Sequence, residues 1–214
     1  MSLFNFHLDS LASYPLRLIL ASESLARKRL LENAGILFET CPSHCNETSL
    51  KQKALQEGLS ARETALRLAQ TKALSVSEKI AGEDSVIIGA DQMLSCEGQW
   101  YDKPVNREQA YQQIIALRGK THVLHTAVVL VYKKDVIWQH VEEPYLHMSF
   151  VTEEFITQYL ADEGDACLAS VGAYRLEGRG IQLFECIKGD NFSIQGLPLL
   201  PLLSALREIK ILQT

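Results

Sequence analysis

The sequence predicts an α/β (α+β) fold, a mixed β-sheet with flanking helices, from three observations. Short continuous apolar runs alternate with stretches whose apolar residues recur at helical spacing. Two long alternating segments lie mid-chain, as paired strands require. No internal repeat or low-complexity tract breaks this order. The length of 214 residues suits one domain, and 47% hydrophobic residues supply a core. We expect that domain over residues 16–214 and an N-terminal extension of weak periodicity over residues 1–15.

Residues 16–20 are a compact apolar run, read as the first strand. Ser24 then caps a helix that runs to about Asn33 and ends at Gly35. Leu25, Leu30 and Leu31 are expected inward, with Arg27, Lys28 and Arg29 around the rim. Residues 37–41 read as a strand and 42–58 as a polar loop. Ala61, Ala65, Leu68, Ala69, Ala73 and Val76 predict the longest helix over 60–80, and Ser60 with Glu63 forms a capping box. Val86, Ile87 and Ile88 read as a buried strand that ends in a small-residue turn, Gly89-Ala90-Asp91-Gln92. A turn at 97–99 and a helix over 108–117 follow. Segments 122–132 and 136–150 are predicted to pair as long antiparallel strands through Lys133-Lys134-Asp135. A helix opened by Thr152, a glycine-rich loop over 172–180, a strand over 181–187 and a helix over 198–209 complete the chain.

The net charge is -5, without a basic run or stripe, which argues against binding a nucleic-acid polymer. An acidic chain that binds polyphosphate must gather its cations, with a metal, at one place. No apolar stretch is long enough to cross a bilayer, and residues 1–15 lack the pattern of a signal peptide. Five cysteines at wide spacing read as reduced thiols of a cytoplasmic protein, and Cys41-x-x-x-Cys45 has no second zinc-ligand pair. Gly119-Lys120-Thr121 resembles the tail of a P-loop, but Ile114 occupies the position of its first glycine. His122 and His125 fall in an apolar strand and are expected to be structural imidazoles.

Four polar clusters break the core pattern. Ser22-x-Ser24-x-x-Arg27, at a strand-to-helix turn, combines hydroxyls, N–H groups and a guanidinium that suit an anion. Glu47 follows the second strand. Asp91 directly follows a buried strand, where open α/β sheets place ligands. In Asp102-Lys103-Pro104, the proline fixes the turn and the lysine is a point charge for phosphate. Two carboxylates, several cations and a helix N-terminus are the parts that phosphoryl chemistry uses.

Taken in order, these clusters resemble the Maf family, the septum-formation-inhibitor-like proteins. The likeness runs through Leu20-Ala21-Ser22-Glu23-Ser24 with Arg27, then Glu47 and Ala69-Gln70-Thr71-Lys72-Ala73. It continues through Gly89-Ala90-Asp91-Gln92, Asp102-Lys103-Pro104 and Arg118-Gly119-Lys120-Thr121-His122. Gly172-Ala173-Tyr174, Glu177-Gly178 and Gly196-Leu197-Pro198-Leu199 complete it. The resemblance implies a nucleoside triphosphate pyrophosphatase with an inosine-triphosphatase-like mixed sheet and a cleft between two lobes. It implies Asp91 as proton acceptor, with Lys72 and Lys103 beside it in catalysis. Glu47 and Asp91 would hold a divalent Mg or Mn ion, and Ser22, Ser24 and Arg27 would contact substrate. A homodimer is implied as well.

The opening motif departs from the family, because Leu25-Ala26 precede Arg27 where the family has Pro-Arg. Gln92 and Glu177 resemble the branch that acts on 7-methyl-GTP, whose glutamate suits a cationic base. Ala26 stands where that branch carries tryptophan. The alternative expectation is a non-catalytic nucleotide-binding regulator of cell division.

Overall fold

The computed structural model describes residues 16–80 and 84–213, so the expected extension over 1–15 lies outside the described residues. The chain runs β1 (Arg17–Leu20), α1 (Leu25–Asn33), β2 (Glu39–Thr40), α2 (Glu47–Gln56), α3 (Ala61–Lys79) and β3 (Ser85–Cys96). It continues with β4 (Gln99–Tyr101), α4 (Arg107–Leu117), β5 (Thr121–Tyr132), β6 (Asp135–Glu142), β7 (Tyr145–Met148) and α5 (Glu153–Glu163). Short 3-10 turns lead to β8 (Phe184–Lys188), α6 (Asn191–Ile194) and α7 (Leu199–Glu208). Among the described residues the sheet has eight strands in the order β2-β1-β3-β5-β7-β8, with β4 on β3 and β6 on β5. It is mixed as predicted: β1 is parallel to β2 and β3, whereas β4 is antiparallel to β3 and β7 to both β5 and β8. Among the described residues no helix is long and apolar enough to cross a membrane.

The chain divides into two compact units. The first holds residues up to Asp91, Thr126–Val141 and the segment from Gly196 onward. Its core includes Leu20, Leu31, Leu68, Ile87, Ile88, Leu130, Leu202 and Leu206, all buried. The second holds Gln92–His125 and Glu142–Gln195, around Leu94, Ile114, Leu117, Leu124, Leu146, Ile156 and Leu183.

Several elements differ from the sequence reading. Residues 47–56, expected as loop, form α2, which Asn46 caps through the Ser49 N–H at 3.0 Å. Glu47 is therefore the first residue of a helix. Strand β3 does not stop at Ile88 but runs through Asp91 to Cys96, so Asp91 lies inside a strand rather than in a turn. Segment 136–150 is two strands, β6 and β7, broken around Pro144, which has no N–H to give a ladder. In α1, Leu30 and Leu31 are buried, but Leu25 is 67% exposed and Arg27 is buried in its place.

Within the first unit, α3 approaches β3 so closely at Gly89 that no side chain fits there. A Cβ on Gly89 would lie 2.2 Å from the Ala69 carbonyl oxygen and 2.8 Å from the Ala73 methyl. The alanine face of α3, Ala65, Ala69 and Ala73, is fully buried and supplies the flat surface this contact needs. Side chains of a strand alternate, so Asp91 projects on the same face as Gly89, toward α3.

In the second unit, His122 is completely buried on β5. Its Nε2 pairs with the Tyr174 hydroxyl at 2.7 Å, and its Nδ1 is buried with no protein partner. Burial pushes this imidazole down to about 4. His125 is anchored by Ser95 at 2.8 Å and Glu143 at 2.7 Å, so both histidines have structural partners.

Gly89→Ala should destabilise the chain by about 1–3 kcal/mol through overpacking, more than the ~0.4–1 kcal/mol by which alanine favours folding through the restricted entropy of the unfolded chain. A urea midpoint at or above that of the unsubstituted chain would refute the close contact. His122 is neutral when folded but titrates near 6.5 when unfolded, so its contribution is complete above pH 6.5 and declines as pH falls toward 4. At pH 5 the loss is on the order of 2 kcal/mol. Urea unfolding of His122→Gln should start from a lower stability at pH 7.5 and show a flatter decline to pH 5. A decline parallel to that of the unsubstituted chain would assign the acid sensitivity elsewhere.

Candidate active site

The first unit brings together four charged side chains drawn from four elements. Lys72, on α3, places its Nζ 2.5 Å from Asp91 Oδ1 and 2.8 Å from Glu47 Oε1. The Lys72 and Asp91 side chains are 8% and 7% exposed, whereas Glu47 at the start of α2 is 46% exposed. A buried lysine costs much of its hydration, and that cost is tolerable only with opposite charge beside it. Burial by itself pulls Lys72 down, but Asp91 and Glu47 more than offset it, and Arg27 opposes them in part. The net direction is upward, so Lys72 remains an ammonium at neutral pH.

Arg27, on α1, is the second buried cation. Its Nε donates to the Gly196 carbonyl at 2.8 Å. Its Nη1 donates to the Ala90 carbonyl at 2.9 Å and to Ser22 Oγ at 3.2 Å. Burial lowers its pKa, while Asp91 and Glu47 act in the opposite direction. Ser22 Oγ also accepts the Ser24 N–H at 3.2 Å, and Ser24 Oγ caps α1 by accepting the Arg27 N–H at 3.4 Å. Ser22, Ser24 and Arg27 thus form one hydrogen-bonded group, which adjoins the Glu47–Lys72–Asp91 group through the Ala90–Asp91 backbone. Ala26 is half-buried on the same helix.

The expected site residues of the second unit are held by neighbours there. The Gln92 amide donates to the Ser193 and Ile194 carbonyls of α6 at 3.0 and 3.1 Å. Lys103 is exposed on a loop that α4 fastens at both ends. The Gln113 amide donates to the Asp102 carbonyl at 2.8 Å, and the Val105 N–H donates to Gln109 Oε1 at 2.7 Å. Glu177 pairs with Arg175 Nε at 3.2 Å. Arg175 Nη1 lies 3.5 Å from Glu163, whose carboxylate also accepts the Arg179 N–H at 3.0 Å.

Gln109, Gln113, Glu163 and Arg175 were not singled out in the sequence. The one available signal was the i, i+4 spacing of Gln109 and Gln113, which places both on one helix face. Glu163 and Arg175 are 12 residues apart, and no local pattern relates them.

The carboxylates of Glu47 and Asp91 converge on one ammonium, so the space around Lys72 Nζ already favours a cation. A magnesium-like ion takes one or two protein carboxylates and completes its shell with water and substrate phosphate oxygens. The pair suits such an ion. Among the described residues there is no group of three or more His, Cys, Asp or Glu side chains able to hold a metal by itself.

Comparison with known proteins places this chain in a family. Residues 17–209 match the family described as Maf-like protein. The chain is similar to a nucleoside triphosphate pyrophosphatase of Granulibacter bethesdensis, with 51% identity over 90% of this chain and 97% of the relative. It is similar to a 7-methyl-GTP pyrophosphatase of Rhizobium meliloti, with 44% identity over 90% of this chain and 96% of the relative. A 7-methyl-GTP pyrophosphatase of Brucella suis is 45% identical over 91% of this chain and 96% of its own length. On a family match that spans nearly the whole described chain, and on relatives that align over 90% of it, this protein belongs to the Maf-like family.

Proposed function

We propose that the protein is a nucleoside triphosphate pyrophosphatase that hydrolyses its substrate to the nucleoside monophosphate and pyrophosphate. The observation that carries this reading is Lys72 held between Asp91 and Glu47. A second buried cation, Arg27, stands beside that pair. The names of the relatives supply the reaction class.

In the proposed reaction water attacks the α-phosphorus, the α–β phosphoanhydride bond breaks and pyrophosphate leaves. Asp91 is the proton acceptor. Its Oδ1 is engaged by Lys72, so its other oxygen is the one that takes the proton of the attacking water. Lys72 stays protonated, keeps that carboxylate oriented and stabilises charge that develops on the phosphoryl oxygens. Glu47 and Asp91 would hold a divalent Mg or Mn ion, which would neutralise polyphosphate charge and polarise the phosphoryl group. Ser22 and Ser24 offer hydroxyls at the start of α1, and Lys103 adds a cation for phosphate. Gln92 and Glu177 are assigned to the base, where an anionic Glu177 favours a cationic ring such as 7-methylguanine.

A screen of nucleoside triphosphates, including 7-methyl-GTP, tests the reaction by phosphate release coupled to an added pyrophosphatase. Activity should require Mg²⁺ or Mn²⁺, disappear with chelator and fall by about 10²–10³ or more in Asp91→Ala, the usual scale for losing a group that stabilises the transition state. Tight nucleotide binding without turnover above the Asp91→Ala control would instead support a non-catalytic regulator. For the base, Glu177→Gln should lower kcat/KM for 7-methyl-GTP about tenfold more than for GTP, which corresponds to about 1.4 kcal/mol of discrimination. Equal losses on both substrates would remove Glu177 from base recognition.

A further inference from the structure

Arg27 enters the site as the arginine of the opening motif, a place that suggests a phosphate ligand. Its hydrogen bonds suggest another role. Nε and Nη1 are both engaged by the protein, on acceptors that are 169, 63 and 5 residues away in the chain. These acceptors are the Gly196 carbonyl, the Ala90 carbonyl and Ser22 Oγ. The guanidinium is a rigid planar fork, so bonds made by two of its nitrogens fix the acceptors relative to one another.

Two of these acceptors bear directly on the reacting groups. The Ala90 carbonyl belongs to the peptide plane that ends at the Asp91 nitrogen. Holding that oxygen fixes the plane from which the Asp91 side chain departs. Ser22 Oγ accepts both the Arg27 Nη1–H and the Ser24 N–H, so the proton of its own hydroxyl is left to donate outward. The third acceptor depends on a glycine. Gly196 has φ +105, and a Cβ there would lie 3.5 Å from Arg27 Nε. That conformation turns its carbonyl onto the guanidinium at little cost only without a side chain.

We infer that Arg27 is a positioning residue, a clamp that sets the Asp91 carboxylate and the Ser22 hydroxyl, rather than a ligand of substrate phosphate. The kinetic part of this inference rests on the proposed hydrolysis; the structural part does not. Misplacing a reacting group by an ångström can cost about 10²-fold in rate.

The test compares Arg27→Lys and Arg27→Gln with the unsubstituted chain. Arg27→Lys keeps a cation for phosphate but cannot bridge the acceptors as a planar fork does. The clamp predicts that both variants lose about 10–10²-fold in kcat with KM changed less than about twofold. It also predicts at least tenfold faster native-state amide exchange over residues 88–92 and 196–198. A phosphate ligand predicts the reverse: near-normal turnover in Arg27→Lys, a raised KM in Arg27→Gln and unchanged exchange. That result, or unchanged exchange in both variants, overturns the clamp. If no nucleotide is hydrolysed by the unsubstituted chain, the proposed reaction fails while the exchange measurement still decides the clamp. If both variants unfold, Gly196→Ala replaces them, since it displaces one acceptor and changes no charge. Loss of kcat at constant KM is again expected, and unaltered kinetics and exchange would overturn the inference.

Discussion

The site depends on the contact of a helix with a strand at a residue that has no side chain. Gly89 lets α3 come down on β3 until the Ala69 carbonyl and Ala73 methyl occupy the space a Cβ would need. Two residues further along the strand, and on the same face, Asp91 meets Lys72 from that helix. A longer side chain at 89 would separate the backbones and lengthen the ion pair with them. The pair is therefore set by backbone packing, and its geometry is as rigid as the alanine face beneath it.

The four charges gathered around Lys72 balance. Lys72 and Arg27 are buried cations, and Asp91 and Glu47 are the carboxylates that act on both. Removing one partner of the buried Lys72–Asp91 pair leaves an uncompensated charge, which typically costs about 3–5 kcal/mol. In the second unit, charge is handled differently. Glu163, with a side chain 8% exposed, anchors Arg175 and the Arg179 amide, and Arg175 in turn holds the more exposed Glu177. A buried acid fixes a cation that fixes a more exposed acid, which gives Glu177 a defined position.

Local patterns made much of this fold legible. The capping box at Ser60 and Glu63 is present as predicted, and helical spacing located α3, α4, α5 and α7. The Maf resemblance, read from motifs in order, agrees with the family match. The failures have physical reasons. Helix α2 buries only Ala54, so its sequence carries no apolar periodicity to detect. Gly89-Ala90 looks like a turn because small residues mark turns, but here they serve a close approach of backbones inside a strand. The charge of Arg27 suits a solvent-facing rim, yet the side chain is buried. Its acceptors are mostly backbone carbonyls far along the chain, and a carbonyl has no signature in the one-letter code. The Glu163–Arg175–Glu177 chain was hidden for the same reason, since only tertiary structure brings Glu163 to Arg175.

The ammonium of Lys72 has one more consequence. Carboxylates gathered to receive a metal ordinarily repel one another until it arrives, and small metalloproteins often fold only when loaded. Here a side chain of the protein itself already lies between Asp91 and Glu47. It serves as an internal counterion, permanent and covalently tethered. The two carboxylates are thereby held together from within the chain itself, without recourse to a free divalent ion.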